Sequence, residues 1–185
     1  LGYRAEKGER AKTRAAAPVA AAPAAHGDNW ARVAGVYFRS TTGIGGGLQI
    51  AGTMDSAVAN QAGATVSLTG GRIDGSLANN GMLRGYGVID GDLTNTASDS
   101  DIAVVFGSGL TLQVTGQIRN SGTVGFSGRL EGDMTNEAAG DFALRGKVVG
   151  RLVNDGTLRG AGRVTGALVN QGTTSIGEGR TLAVT

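Results

Sequence analysis

The side chains in this chain best suited to chemistry are carboxylates that recur at regular steps. Asp55, Asp74 and Asp90 are separated by 19 and 16 residues, and the same steps separate copies of a repeat described below. Like charges at equivalent positions of stacked repeats repel each other, and a divalent cation between them would relieve that repulsion. Arg72 could neutralise the same charges, so the sequence leaves both interpretations open.

A second carboxylate pair, Asp99 and Asp101, lies in a short polar segment. That segment lacks the Asp-x-Asp-x-Asp-Gly loop and the Gly-Gly-x-Gly-x-Asp repeat that predict calcium binding strongly. We therefore predict no cofactor, with a structural calcium ion as the alternative.

Catalysis by this chain would need groups that the sequence does not bring together. His26 is the only histidine, and it lies in an Ala/Pro-rich stretch that offers no scaffold for a catalytic triad. The carboxylates Asp90, Asp92, Glu131 and Asp133 follow the period of the repeat instead of clustering outside it, as surface positions would. We predict that the protein is not an enzyme, with a polysaccharide-active β-helix enzyme as the less favoured alternative.

The dominant feature of the chain is a nine-residue pattern, G-x-[IVLM]-x-G-x-[LIMV]-x-N, that occurs seven times. The copies begin at Gly52, Gly71, Gly87, Leu112, Gly128, Gly146 and Gly162. Both aliphatic positions are filled in every copy, whereas only Leu112 and Ser56 depart from the glycine positions. Because strand side chains alternate between two faces, the glycines, aliphatic residues and asparagines share the face that forms the core.

One copy cannot bury that face alone, so the pattern predicts an all-β fold, a parallel β-helix (β-solenoid) of about seven rungs. At roughly 4.8 Å per rung the rod would be about 34 Å long. A glycine often follows the asparagine closely, which indicates a turn at the edge of each rung. Stacked asparagines are also expected to form a hydrogen-bonded ladder along the axis. The predicted ladder residues are Asn60, Asn79, Asn95, Asn120, Asn136, Asn154 and Asn170.

Composition agrees with a solenoid. The 185 residues include 34 glycines but only two prolines and no cysteine, so a collagen helix and a disulfide framework are both excluded. No apolar run is long enough to predict a transmembrane helix. The net charge is only +2, and the repeats lack the interleaved aromatic residues that stack bases, so we expect no nucleic-acid partner.

One outward column of the predicted rod is basic, with Arg129, Lys147 and Arg163 on successive rungs. Solvated charge that keeps the rod soluble explains it most simply. A stripe that binds a polyanion is the alternative.

The sequence divides into three parts. Residues 1–29 form a basic, Ala/Pro-rich N-terminal arm that cannot build a core of its own. Residues 30–47 contain an aromatic strand that either caps the first rung or acts as a clasp on a neighbouring subunit. Residues 48–185 form the repeat body.

Both tips of the repeat body resemble internal copies. Residues 176–185 match the internal segment 106–115, which continues directly into the next copy, and residues 48–54 resemble residues 112–118. An uncapped rung leaves backbone groups unpaired, so we expect the chain to bind itself head to tail and form an open filament. The expected interface residues are Trp30, Val33, Val36, Tyr37, Phe38, Leu48, Ile50, Met54, Ile176, Leu182 and Val184.

The segment Leu152–Gly172 reads LVNDGTLRGAGRVTGALVNQG. It resembles the L-x-N-x-G-x-[LI]-x-G-x-G-x-[VI]-x-G repeats of bacterial secreted β-solenoids, such as autotransporter passengers and filamentous-haemagglutinin-like adhesins. The resemblance covers about residues 48–185 and implies a right-handed parallel β-helix at an extracellular or cell-surface location. The chain is shorter than typical passengers, from which we expect a small secreted building block or a fragment.

The function expected from these features is structural. The chain is predicted to assemble into an extracellular filament, for a biofilm matrix or a surface fibre, with junctions strengthened by the N-terminal arm. The alternative is a fragment of a surface adhesin that binds glycan or a host protein.

Overall fold

The structure is a computed structural model that describes residues 30–33, 42–44, 46–97, 104–105 and 109–185, with side chains described over 46–97 and 109–185. Within these residues the fold is all-β, which confirms the predicted solenoid of about seven turns. The strands are β1 (Trp30–Val33), β2 (Thr42–Ile44), β3 (Gly47–Ile50), β4 (Thr53–Met54), β5 (Val58–Asn60), β6 (Thr65–Ile73), β7 (Leu77–Asn79), β8 (Met82–Ile89), β9 (Leu93–Asn95), β10 (Val104–Val105), β11 (Thr111–Asn120), β12 (Thr123–Phe126), β13 (Arg129–Asn136), β14 (Asp141–Leu144), β15 (Lys147–Val149), β16 (Leu152–Asn154), β17 (Thr157–Arg159), β18 (Arg163–Thr165), β19 (Leu168–Asn170), β20 (Thr173–Ser175) and β21 (Ala183–Val184).

Every paired strand runs parallel to its neighbour, and the stacks form three faces. The first face contains β1, β3, the N-terminal halves of β6 and β8, then β10, β12, β14, β17 and β20. The second contains β4, the C-terminal halves of β6 and β8, the N-terminal halves of β11 and β13, then β15, β18 and β21. The third contains β2, β5, β7, β9, the C-terminal halves of β11 and β13, then β16 and β19.

The nine-residue pattern covers the second and third faces, and its glycines lie at the corners that bound them. Gly150, at the corner between these two faces, has a φ of +141°, and a Cβ there would lie 2.5 Å from the Gly132 carbonyl oxygen. Only glycine accepts both that dihedral angle and so close a backbone contact without strain. The corner glycines therefore let successive turns stack closely.

The core consists of the inward-facing side chains of the three faces. Thirteen of the fourteen aliphatic positions of the pattern are buried, as the alternation predicted. The exception is Leu168 in the last complete turn, which is partly buried. The first face adds the two buried rings of the core, Phe126 and Phe142.

The structure differs from a simple alignment of the repeats at one place. The pattern aligns Val114 with Leu130, but the strands pair Leu112 with Leu130. The register of the repeat alignment is restored further along the strand. Three residues lie between Gln113 and Gln117, but only one, Gly132, lies between their partners Glu131 and Asp133. A shift of two residues keeps each side chain on its own face, so the core alternation is preserved.

At the N-terminal end, β1 pairs with β3 and β2 pairs with β5. The predicted aromatic segment thus contributes backbone to the solenoid through residues 30–33. The predicted arm, residues 1–29, lies outside the described residues.

Candidate functional site

The asparagines at the ends of the third-face strands form a continuous ladder along the axis. Each Asn donates a side-chain N–H from Nδ2 to Oδ1 of the equivalent Asn in the next turn, at 2.7 or 2.8 Å. The six bonds all have the same direction, from the N-terminal turn to the C-terminal turn. The column connects Asn60, Asn79, Asn95, Asn120, Asn136, Asn154 and Asn170.

Six of the seven ladder amides also donate to a carbonyl oxygen of the turn that follows their own strand, whereas Asn95 donates to that of Thr123 in the next turn. Asn79 donates to the carbonyl oxygen of Gly81 at 2.9 Å, and Asn120 donates to that of Gly122 at 3.0 Å. A buried amide needs partners for its polar atoms, and these bonds satisfy the side chain and the turn together. The ladder therefore holds both the register and the corner of each turn.

The two ends of the ladder are chemically different. At the N-terminal end, Asn60 Oδ1 is buried and has no hydrogen-bond partner among the described residues. The position that pairs with Asn60 in the preceding strand is Ile44, a residue type without a side-chain donor. At the C-terminal end, Asn170 is exposed, and its Oδ1 accepts a hydrogen bond of 3.0 Å from Thr174 Oγ1.

The predicted interface residues at the N-terminal end fall into two groups. Leu48, Ile50 and Met54 are buried, and among the described side chains they form the first layer of the core. The side chains of Trp30 and Val33 lie outside the described residues, as do Val36, Tyr37 and Phe38 altogether. The role of residues 30–47 as cap or clasp stays a prediction.

The predicted residues at the C-terminal end are at the surface. Ile176 is 42% exposed and Val184 is 49% exposed, whereas Val164, the strand partner of Val184, is completely buried. Leu182 is partly buried against the core. At this end β19, β20 and β21 each pair with a described strand on one side only, which leaves their other edges open.

The acidic column, Asp55, Asp74 and Asp90, is compensated in part within the chain. The Arg72 guanidinium contacts the carboxylates of both Asp74 and Asp90, and Asp90 Oδ1 also accepts a hydrogen bond of 2.7 Å from Thr115 Oγ1. The hydrogen bond to Asp74 raises the pKa of Arg72 above its ordinary value. Asp55 is exposed and lies outside this network. Among the described residues no group of three His, Cys, Asp or Glu side chains could hold a metal ion.

Two of the other carboxylates considered for catalysis, Asp92 and Asp133, connect neighbouring turns, whereas Glu131 is bonded within its own strand. Asp92 Oδ1 accepts the backbone N–H of Gln117 at 2.8 Å, and Asp133 Oδ1 accepts that of Arg151 at 2.8 Å. Glu131 Oε1 accepts a hydrogen bond of 2.6 Å from Arg129 Nε. These contacts pair each carboxylate with a donor of the solenoid itself. His26, Asp99 and Asp101 lie outside the described residues.

A shallow groove of about 260 Å³ lies along the outer side of the third face near its N-terminal end. Its floor includes Ala59, Ala78 and Thr94, and its rim includes Gln61 and Asn80. No titratable side chain lines it. The groove therefore offers no acid, base or nucleophile beyond neutral hydroxyl and amide groups.

The part of the chain that the structure describes contains no helix with the length and apolarity needed to cross a membrane. Comparison of the chain with protein-family models, with curated proteins and with solved structures gave no match. The resemblance to bacterial secreted β-solenoid repeats thus stays a prediction based on the sequence pattern.

Proposed function

We propose that this protein is a structural subunit that stacks end to end with further copies and builds an extracellular filament. The observation that carries the proposal is the C-terminal turn, where inward positions that are buried elsewhere in the rod are exposed. Val184 and its buried strand partner Val164 show this difference directly. A further turn would cover the exposed apolar side chains and pair the open strand edges.

A second copy can supply that turn because both ends are built from parallel strands of the same three faces. On the first face, β20 is the outermost strand at the C-terminal end, and β1 is the outermost described strand at the other end. On the third face, the corresponding strands are β19 and β2. Stacking of unlike ends repeats the same translation at each junction, so the product is an open filament and not a closed ring.

The side-chain chemistry of the rod supports a structural role over catalysis. Carboxylates such as Asp92 and Asp133 accept backbone N–H groups of the following turn, and the asparagine ladder runs along the third face from Asn60 to Asn170. The ladder fixes the register of each turn against the next, which suits a fibre. The extracellular location is proposed from the sequence resemblance alone.

The experiment is electron microscopy and sedimentation of the purified 185-residue chain, together with two charge variants. Val184→Lys places a cation on the exposed end of the core, where stacking would bury it, so filaments should be lost. Val169→Lys is the matched control, since Val169 lies in the same turn but its side chain faces outward. This control should form filaments normally.

Two results would overturn the proposal. One is a wild-type chain that stays as monodisperse short rods at every concentration examined. The other is a Val169→Lys variant as defective in filament formation as Val184→Lys, because the defect would then not depend on the end of the core.

A further inference from the structure

The basic residues Arg129, Lys147 and Arg163 form one column on the outer side of the second face. Arg129 pairs with Lys147 and Lys147 pairs with Arg163 on adjacent parallel strands. Adjacent strands lie about 4.8 Å apart, so three cations recur at that interval along the rod axis. Like charges placed directly opposite each other destabilise a sheet.

Two of these three cations have no compensating charge in the described part of the chain. Arg129 Nε contacts Glu131 Oε1 at 2.6 Å, but none of the described carboxylates forms an ion pair with Lys147 or Arg163. The strand partner of Glu131 in the next turn is Val149, so the acidic neighbour of Arg129 is not repeated. The basic column therefore keeps most of its charge.

The acidic column on the same face can be compared with this basic column. There Arg72 bridges Asp74 and Asp90 within the chain. One internal cation thus bridges two members of the acidic column, whereas no described carboxylate bridges two members of the basic column. An external polyanion would reduce the repulsion in the basic column, as Arg72 reduces it between Asp74 and Asp90.

We propose that the column Arg129, Lys147 and Arg163 binds a linear acidic polysaccharide. Carboxylates of successive sugars would meet cations of successive turns, with the polymer lying along the rod axis. The parallel register fixes the backbone positions of the cations in a straight line, so little backbone ordering is required when the polymer binds. Charge complementarity supplies the attraction, which salt should screen.

Nucleic acid fits this column less well. The phosphates of one strand of duplex DNA recur about every 3.4 Å along the helix axis, which does not match the spacing of about 4.8 Å between turns. A single strand would gain from aromatic stacking, but the rings of the same turns, Phe126 and Phe142, are buried in the core. An acidic glycan needs only the aligned charges.

The test measures binding of the 185-residue chain to polygalacturonate, with dextran as the neutral polymer and single-stranded DNA as the competing polyanion. The variant Lys147→Gln/Arg163→Gln should bind polygalacturonate about ten-fold more weakly, as expected for the loss of two exposed ion pairs. The control is Arg84→Gln/Arg151→Gln, which removes the same charge from exposed arginines outside the column. Its affinity should stay within about two-fold of the wild type.

Several results would overturn the proposal. Equal weakening in the two double variants would mean that only net charge matters. Binding to dextran as tight as binding to polygalacturonate would exclude charge recognition. Tighter binding to single-stranded DNA, lost in the column variant, would assign the column to nucleic acid, and no measurable binding to polygalacturonate by the wild type would remove the site.

Discussion

Asn120 donates a hydrogen bond of 2.7 Å from Nδ2 to Asn136 Oδ1, and both side chains are completely buried. The two residues are 16 positions apart in sequence and occupy equivalent positions in successive turns. Asn120 Oδ1 accepts the same kind of bond from Asn95. Each asparagine in the middle of the ladder is therefore held from both sides, and its loss would break two bonds.

Asn120→Ala should lower the free energy of unfolding by about 3 kcal/mol, because it leaves a donor of Asn95 and an acceptor of Asn136 buried without their ladder partner. Asn170→Ala is the matched control, since Asn170 is exposed and ends the ladder. It removes a single ladder bond at an end open to water, so it should lower the free energy of unfolding by about 1 kcal/mol. Urea unfolding followed by circular dichroism compares the two. Equal losses would show that the ladder does not stabilise the middle of the rod.

The unpaired acceptor at the start of the ladder predicts a stabilising substitution. Ile44→Asn would place an amide donor at the position that pairs with Asn60, whose Oδ1 is buried without a partner. We expect the free energy of unfolding to rise by about 1 kcal/mol. Ile44→Asp is the control, because aspartate has nearly the same shape as asparagine but no side-chain donor at neutral pH. It should lower the free energy of unfolding. Thermal unfolding of the pair decides the point, and an Asn variant as unstable as the Asp variant would contradict the ladder account.

Close stacking of backbone predicts different costs for two glycine substitutions. Gly63 and Gly85 both have positive φ, +77° and +102°, but a Cβ at Gly63 would meet no atom within 4 Å. A Cβ at Gly85 would overlap the carbonyl oxygen of Leu68 in the preceding turn. Gly63→Ala should therefore lower the free energy of unfolding by about 1 kcal/mol, because of the dihedral angle alone. Gly85→Ala should lower it by about 3 kcal/mol, because the overlap with the backbone is added. Similar unfolding midpoints for the two variants would mean that the turns are not packed this closely.

The sequence predicted the fold because the pattern places its residues at alternate positions. Alternation determines which side chains face inward, and seven aligned asparagines determine which residues stack. The strand pairs Asn60 with Asn79 and Asn154 with Asn170 are those that the repeat alignment gives. Fold class and third-face register could thus be derived without coordinates.

The number of faces could not be predicted, because the nine-residue pattern spans only two of them. The first face, with strands such as Thr123–Phe126 and Asp141–Leu144, lies between one asparagine and the next copy. Its length and residue types vary, so no repeated residue marks it. The pairing of Leu112 with Leu130 could not be predicted for another reason. A shift of two residues leaves the alternation of inward and outward side chains unchanged.

The candidate sites were predictable only as alternatives. The sequence offered a cation or Arg72 as the partner of the acidic column, and side-chain geometry was needed to show that Arg72 contacts both Asp74 and Asp90. Likewise, Leu48 and Val184 are both apolar residues near the ends of the repeat body, but only the stacking shows that the first is buried and the second exposed. Burial depends on the neighbouring turn and not on the residue itself.

Disulfide cross-linking between copies tests end-to-end stacking most directly, because the chain contains no cysteine. Ser175 lies in the outermost strand β20, and Arg32 of β1 is paired with Gln49. Stacking of β20 on β1 would bring these positions about 5 Å apart, within the range for a disulfide. Mixing the Ser175→Cys and Arg32→Cys chains under mild oxidation should give a dimer that contains one of each. Dimers formed equally well by Ser175→Cys alone, or no cross-linking in the mixture, would contradict the head-to-tail account.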